Sequence, residues 1–122
     1  MYYEISGGTK RERKLVEDAL LFAKKYLMPR IRDLDIEITI TKKMEVDADV
    51  VGDVREYEMR IRGGQDEEDL ITSVFHEMVH VKQGVRKEFP LFEDCDMEYL
   101  DRPWEKEAYD LQEKILDAYK KI

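Results

Sequence analysis

The fold of this chain turns on residues 66–84, DEEDLITSVFHEMVHVKQG. Projected at about 100° per residue, Ile71, Val74, Phe75, Met78 and Val79 fall on one side of a helix, and Asp69, Ser73, His76, His80 and Gln83 on the other. Gly63 and Gly64 end what precedes, the acidic group Asp66 to Asp69 suits the positive end of a helix dipole, and Gly84 offers a stop. A helix is therefore predicted from about Asp66 to Gln83. Lys82 projects toward the apolar side, where a place in the last turn would let it snorkel to water.

Working outward, Ile36, Ile38 and Ile40 alternate with Asp35, Glu37, Thr39 and Thr41, the period of a half-buried strand. Tyr57, Met59 and Ile61 repeat that pattern after Gly52. These two strands are expected to pair, with a third short strand within 43–53 and one at the N-terminus, Tyr2 to Ile5. Thr9 and Glu12 form a capping box ahead of Leu15, Val16, Ala19, Leu20, Ala23, Tyr26 and Leu27, which recur at helical spacing until Pro29. A loop is expected from Val85 to about Leu100, then a third helix with Asp101 as N-cap and Pro103 in its first turn. Its apolar face carries Trp104, Ala108, Leu111, Ile115, Tyr119 and Ile122. Helices gathered on one face of a small sheet make an α+β domain.

The 122 residues fit a single domain, 1–122, and 43% hydrophobic content spread along the chain reads as globular. A formal net charge of −8, with basic and acidic residues interleaved, argues against a nucleic-acid partner. Cys95 is the only cysteine, so no disulfide framework or cysteine-rich zinc site can be built. The N-terminus lacks a signal-peptide pattern and no apolar run approaches a membrane span, so a soluble, cytoplasmic protein with no membrane partner is expected.

Both histidines of the chain lie in His76-Glu77-Met78-Val79-His80, an HExxH pattern. Residues four apart on a helix stand one above the other, about 5–6 Å between Cβ atoms, so two imidazoles can converge on one ion. Glu77 then lies beside the metal, placed to take a proton from a metal-bound water. Catalytic zinc commonly has three protein ligands, and with no third histidine a carboxylate is needed. The third helix offers Glu105 and Glu107; Cys95 is a distant second. Glu105 projects inside the apolar stripe, between Tyr119 and Leu116, whereas Glu107 projects to the charged edge between Lys114 and Ala118. A carboxylate on a buried face loses several kcal/mol of solvation unless it meets a cation, which favours Glu105 as the ligand.

With Glu105-Lys106-Glu107-Ala108 following the HExxH helix, the chain resembles the zincin metallopeptidases, and within them the gluzincins, whose later helix carries a glutamate ligand, often as Glu-x-x-Ala. The layout over residues 1–122 is similar to a minimal zincin domain, and its size to the minigluzincins and small phage-type members. A metzincin would need glycine at Gln83 and histidine at Arg86, so that class is excluded. The resemblance implies a small twisted sheet, an HExxH active-site helix and a C-terminal helix bearing Glu105. It also implies one Zn²⁺ on His76, His80 and Glu105, and hydrolysis of a peptide or protein substrate with Glu77 as general base. Tyr99 or Tyr109 would donate to the oxyanion. The rival expectations are a zinc-binding domain without turnover, acting as a structural or interaction module, and a metal-free helical scaffold.

Overall fold

Ile36, Ile38 and Ile40 of strand β2 (Asp35–Thr41) are buried on one face of a sheet, beside Tyr57, Met59 and Ile61 of β4 (Glu56–Arg62). In this computed structural model, which describes residues 1–87 and 102–122, the two strands pair in parallel with Ile36 opposite Tyr57, Ile38 opposite Met59 and Ile40 opposite Ile61. β1 (Tyr2–Gly7) joins the far side of β2, also in parallel. β3 (Ala48–Asp53) joins β4 antiparallel through the short link at Val54 and Arg55. The resulting order is β1-β2-β4-β3. The predicted short strand within 43–53 is thus β3, at a sheet edge, where Asp49 opposite Arg60 forms an ion pair with it.

Period-two alternation leaves the other face of the sheet polar, with Glu4, Glu37, Glu58 and Arg60 turned outward. The first two helices lie against the sheet, and the third packs mainly on the second. α1 (Lys10–Leu27) begins with the complete capping box at Thr9 and Glu12, a feature worth about 1 kcal/mol, and buries Val16, Ala19, Leu20, Ala23 and Leu27. α2 (Glu67–Val85) touches α1, β3, β4 and α3 (Pro103–Lys120). With neighbours on so many sides, α2 buries polar residues as well as apolar ones: His76, Glu77, Lys82 and Gln83 are all inside. The α+β class stands, as a small mixed sheet with three helices. Among the described residues, no helix is long and apolar enough to cross a membrane.

Several expectations need correction. α2 does not stop at Gly84 but runs on to Val85. Gly84 serves packing instead: a Cβ there would lie 2.3 Å from the Tyr57 hydroxyl, so only glycine lets that ring close against the helix. Lys82 does not snorkel; it is 7% exposed and its ammonium meets the Glu107 carboxylate at 3.0 Å. The N-cap of α3 falls on Arg102, which makes no side-chain capping bond. Asp101 and most of the predicted loop, with Pro90, Cys95 and Tyr99, lie outside the described residues. Ile122 lies beyond α3 and is exposed rather than part of its apolar face.

Candidate metal centre

The i,i+4 spacing on α2 brings the His76 and His80 rings to 4.9 Å between centroids, steeply inclined at 81°. α3 packs across them in the register that its apolar stripe dictates, with Ala108, Ile115 and Leu116 buried. That register carries Glu105, in the first turn of α3, onto the histidines rather than into water. Its Oε1 stands 3.2 Å from His76 Nε2 and 2.9 Å from His80 Nε2. The three side chains offer ligand atoms all within 4.8 Å of one another. Glu107 does not join them. It accepts from Lys82 Nζ at 3.0 Å and from Gln83 Nε2 at 2.9 Å.

The outer ring nitrogens explain what this group lacks. His76 Nδ1 meets Gln112 Oε1 at 2.7 Å and His80 Nδ1 meets Gln83 Oε1 at 2.8 Å. An amide oxygen only accepts, so with the amides in this orientation each Nδ1 carries the ring proton. A neutral imidazole has no second proton, and each Nε2 then turns a lone pair toward the Glu105 carboxylate. Lone pairs facing lone pairs in a buried place need a positive charge between them: protons, or one metal ion. The spacing suits a metal. With bonds of about 2.0–2.2 Å, tetrahedral ligand atoms stand roughly 3.3 Å apart, close to the two separations found. A buried group of two imidazoles and a carboxylate can thus hold a metal ion.

Protons at the same place leave their mark on His80. Burial pulls its pKa down, but hydrogen bonds to Glu105 and Gln83 and the Glu105 charge outweigh burial and hold it above the ordinary histidine value. Glu77, between the two histidines in sequence, is 6% exposed and has no hydrogen bond or ion pair among the described residues. Burial pushes its carboxyl up, and the nearby histidines only partly oppose this.

Glu77 and Ala48 line two cavities that meet along α2. One, of about 420 Å³, is bounded by Asp47, Asp69, Ser73, His76, Tyr109 and Gln112. The other, of about 840 Å³, is bounded by Val50, Tyr57, His80, Gly84, Trp104 and Glu105. Together they form a cleft between β3 and α3 with Glu77 on its floor. The Tyr109 ring packs against that of His76, centroids 4.7 Å apart and tilted by 60°, and the residue is 42% exposed and lines the smaller cavity. Tyr99, the other tyrosine considered, lies outside the described residues, as do Cys95 and the acidic residues beside it.

The four residues selected from sequence are therefore adjacent: His76, His80 and Glu105 form the group, and Glu77 lines the cleft beside it. Gln83 and Gln112 were missed as part of the site. A signal was present for both: Gln83 shares the histidine face of α2, and Gln112 is a polar residue within the apolar stripe of α3, on the same line as Glu105. No family matches the chain, and no curated protein or solved structure matches it.

Proposed function

We propose that this chain is a zinc-dependent metallopeptidase of the zincin type, with a gluzincin ligand set of His76, His80 and Glu105. The observation that carries the reading is Glu77: a buried carboxylate with no partner among the described residues, beside a three-ligand group and facing a cleft. A structural metal site has no use for such a group, and leaving it unpaired costs stability. Zinc held there supplies Lewis acidity, which polarises a carbonyl and makes a water more acidic. Glu77 then takes the water proton and delivers it to the leaving amine. Its raised pKa makes it a better proton acceptor than a solvated glutamate. Tyr109, which lines the same cleft, would donate its hydroxyl to the oxyanion.

The substrate is a peptide in extended form. β3 pairs with β4 on one side only among the described residues, and its length from Ala48 to Asp53 lines the larger cavity. Such an edge offers main-chain hydrogen bonds to an extended chain whatever its side chains. Incubation of the zinc-loaded protein with an unfolded protein substrate, with and without chelator, tests the reading. Chelator-sensitive cleavage that is lost in Glu77→Gln supports it; zinc uptake with no cleavage by the parent rejects it. That second result would favour a zinc-binding module, since His76 and His80 on α2 and Glu105 on α3 also clamp two helices together.

A further inference from the structure

We infer that Gln83, held by Glu107, is a positioning residue that fixes which nitrogen of His80 faces the centre, and that His76 has no equally firm counterpart. The inference rests on the metal reading above. Gln83 is 1% exposed, wedged between α2 and α3. Its amide nitrogen donates to the Trp104 carbonyl at 2.9 Å and to Glu107 Oε1 at 2.9 Å. Both partners are pure acceptors, so the two amide protons are used and the orientation of the amide is settled. A flip would set Gln83 Oε1 against a carbonyl and a carboxylate at once. The unflipped amide presents Oε1 to His80 Nδ1 at 2.8 Å, so Nε2 is the nitrogen turned to Glu105 and the one that would meet a metal.

Glu107 is itself anchored by Lys82, at 3.0 Å, and Lys82 is 7% exposed. The relay runs from Lys82 through Glu107 and Gln83 to His80, and crosses twice between α2 and α3. Gln112 differs. It accepts from His76 Nδ1 at 2.7 Å, but its amide nitrogen reaches only Glu113 Oε1, at 3.4 Å on an exposed stretch of α3. Nothing comparable holds that amide against a flip among the described residues. This asymmetry separates an orientation lock from ordinary packing: two glutamines make the same contact to two ligands, and only one has its own orientation enforced.

The test compares zinc affinity and imidazole nitrogen NMR in the full chain for Gln83→Met, Gln112→Met and Glu107→Gln. Gln83→Met keeps the side-chain length and removes the hydrogen bonds; it is expected to weaken zinc binding by about 10–100-fold, and Gln112→Met by less than about tenfold. Glu107→Gln, at a partly exposed position, guards against a Gln83 variant that fails to fold and is expected to weaken binding in the same direction. The readout that packing alone would not move is the His80 Nδ1 proton. It should exchange slowly with water in the parent, both in the zinc complex and in the metal-free protein at acid pH, and rapidly in Gln83→Met. Equal losses for Gln83→Met and Gln112→Met, or a slow His80 Nδ1 proton retained in Gln83→Met, would overturn the inference. Should the parent take up no zinc, the metal reading fails, and the His80 Nδ1 proton of the metal-free chain alone decides the lock.

Discussion

Glu105 Oε1 and His80 Nε2, 25 residues apart in sequence, stand 2.9 Å apart where α3 crosses α2. Glu105 is buried and His80 nearly so, and the proton of His80 is committed to Gln83 on the far side of the ring. One transition-metal ion per chain is the expected occupant, zinc by the chemistry of the donors. Removing one partner of a buried charged set costs about 3–5 kcal/mol, so Glu105→Ala should weaken zinc binding by two orders of magnitude or more. Glu107→Ala, acting only through Gln83, should weaken it by about tenfold. Parallel zinc titrations of the two variants check the assignment; a larger loss in Glu107→Ala would contradict it.

Replacement of Glu77 separates proton transfer from coordination. Glu77→Gln should retain stoichiometric zinc with an affinity near that of the parent, because Glu77 is not among the grouped ligand atoms. Any hydrolysis should fall by about 10²–10⁴-fold, the usual scale for a lost general base. Elemental analysis and a protease assay on one preparation measure both, and loss of the metal would show that Glu77 is a ligand.

Acid sensitivity is expected from the start of α1. Glu12 accepts from the backbone of Gly64 at 2.7 Å and of Thr9 at 2.9 Å, tying the α1 cap to the turn that precedes α2. The Gly64 amide, then the Thr9 amide, hold its carboxyl below the ordinary glutamate range. A folded pKa below the unfolded one means stability that is complete above the unfolded value and lost as pH falls through the folded value. Glu12→Gln should therefore melt lower than the parent at neutral pH, with the gap closing as pH falls below the ordinary glutamate range. Melting curves in chelator across that range provide the comparison; a constant gap would exclude the linkage.

Val54 stores strain that can be released. It adopts φ 49° in the link between β3 and β4, a left-handed conformation in which a β-branched side chain crowds its own backbone. Its side chain is 43% exposed, so little packing compensates. Val54→Asn should raise stability by about 1 kcal/mol, seen as a rise of a few degrees in Tm, since asparagine tolerates this region. A lower Tm would place the worth of Val54 in its contacts.

The elements most legible in the sequence were those with an amphipathic period and a cap. The Ile36-Ile38-Ile40 alternation, the Thr9 capping box and the α2 stripe each describe one element and its buried face, and all three stand. Periodicity says which face is buried but not against what. The parallel pairing of β2 with β4, with β3 displaced to the edge, was therefore not readable. For the same reason the burial of Gln83 and Lys82 against α3 was not readable. His76, His80 and Glu105 could be selected because an i,i+4 pair and a carboxylate within an apolar stripe are local signals. Gln112 lies in the same stripe, but an uncharged amide there names no partner, and its contact with His76 depends on how α3 docks on α2.

The division of the ligand group between α2 and α3 has a thermodynamic consequence. An unfolded chain keeps at best the local pair His76 and His80, whereas the third donor arrives only when the helices dock. Metal uptake and helix docking then form one coupled equilibrium, in which each tenfold increase in free metal beyond saturation adds about 1.4 kcal/mol to the folded state. Under such coupling the persistence of the folded chain would follow the metal supply of its surroundings, and metal starvation would withdraw the fold itself.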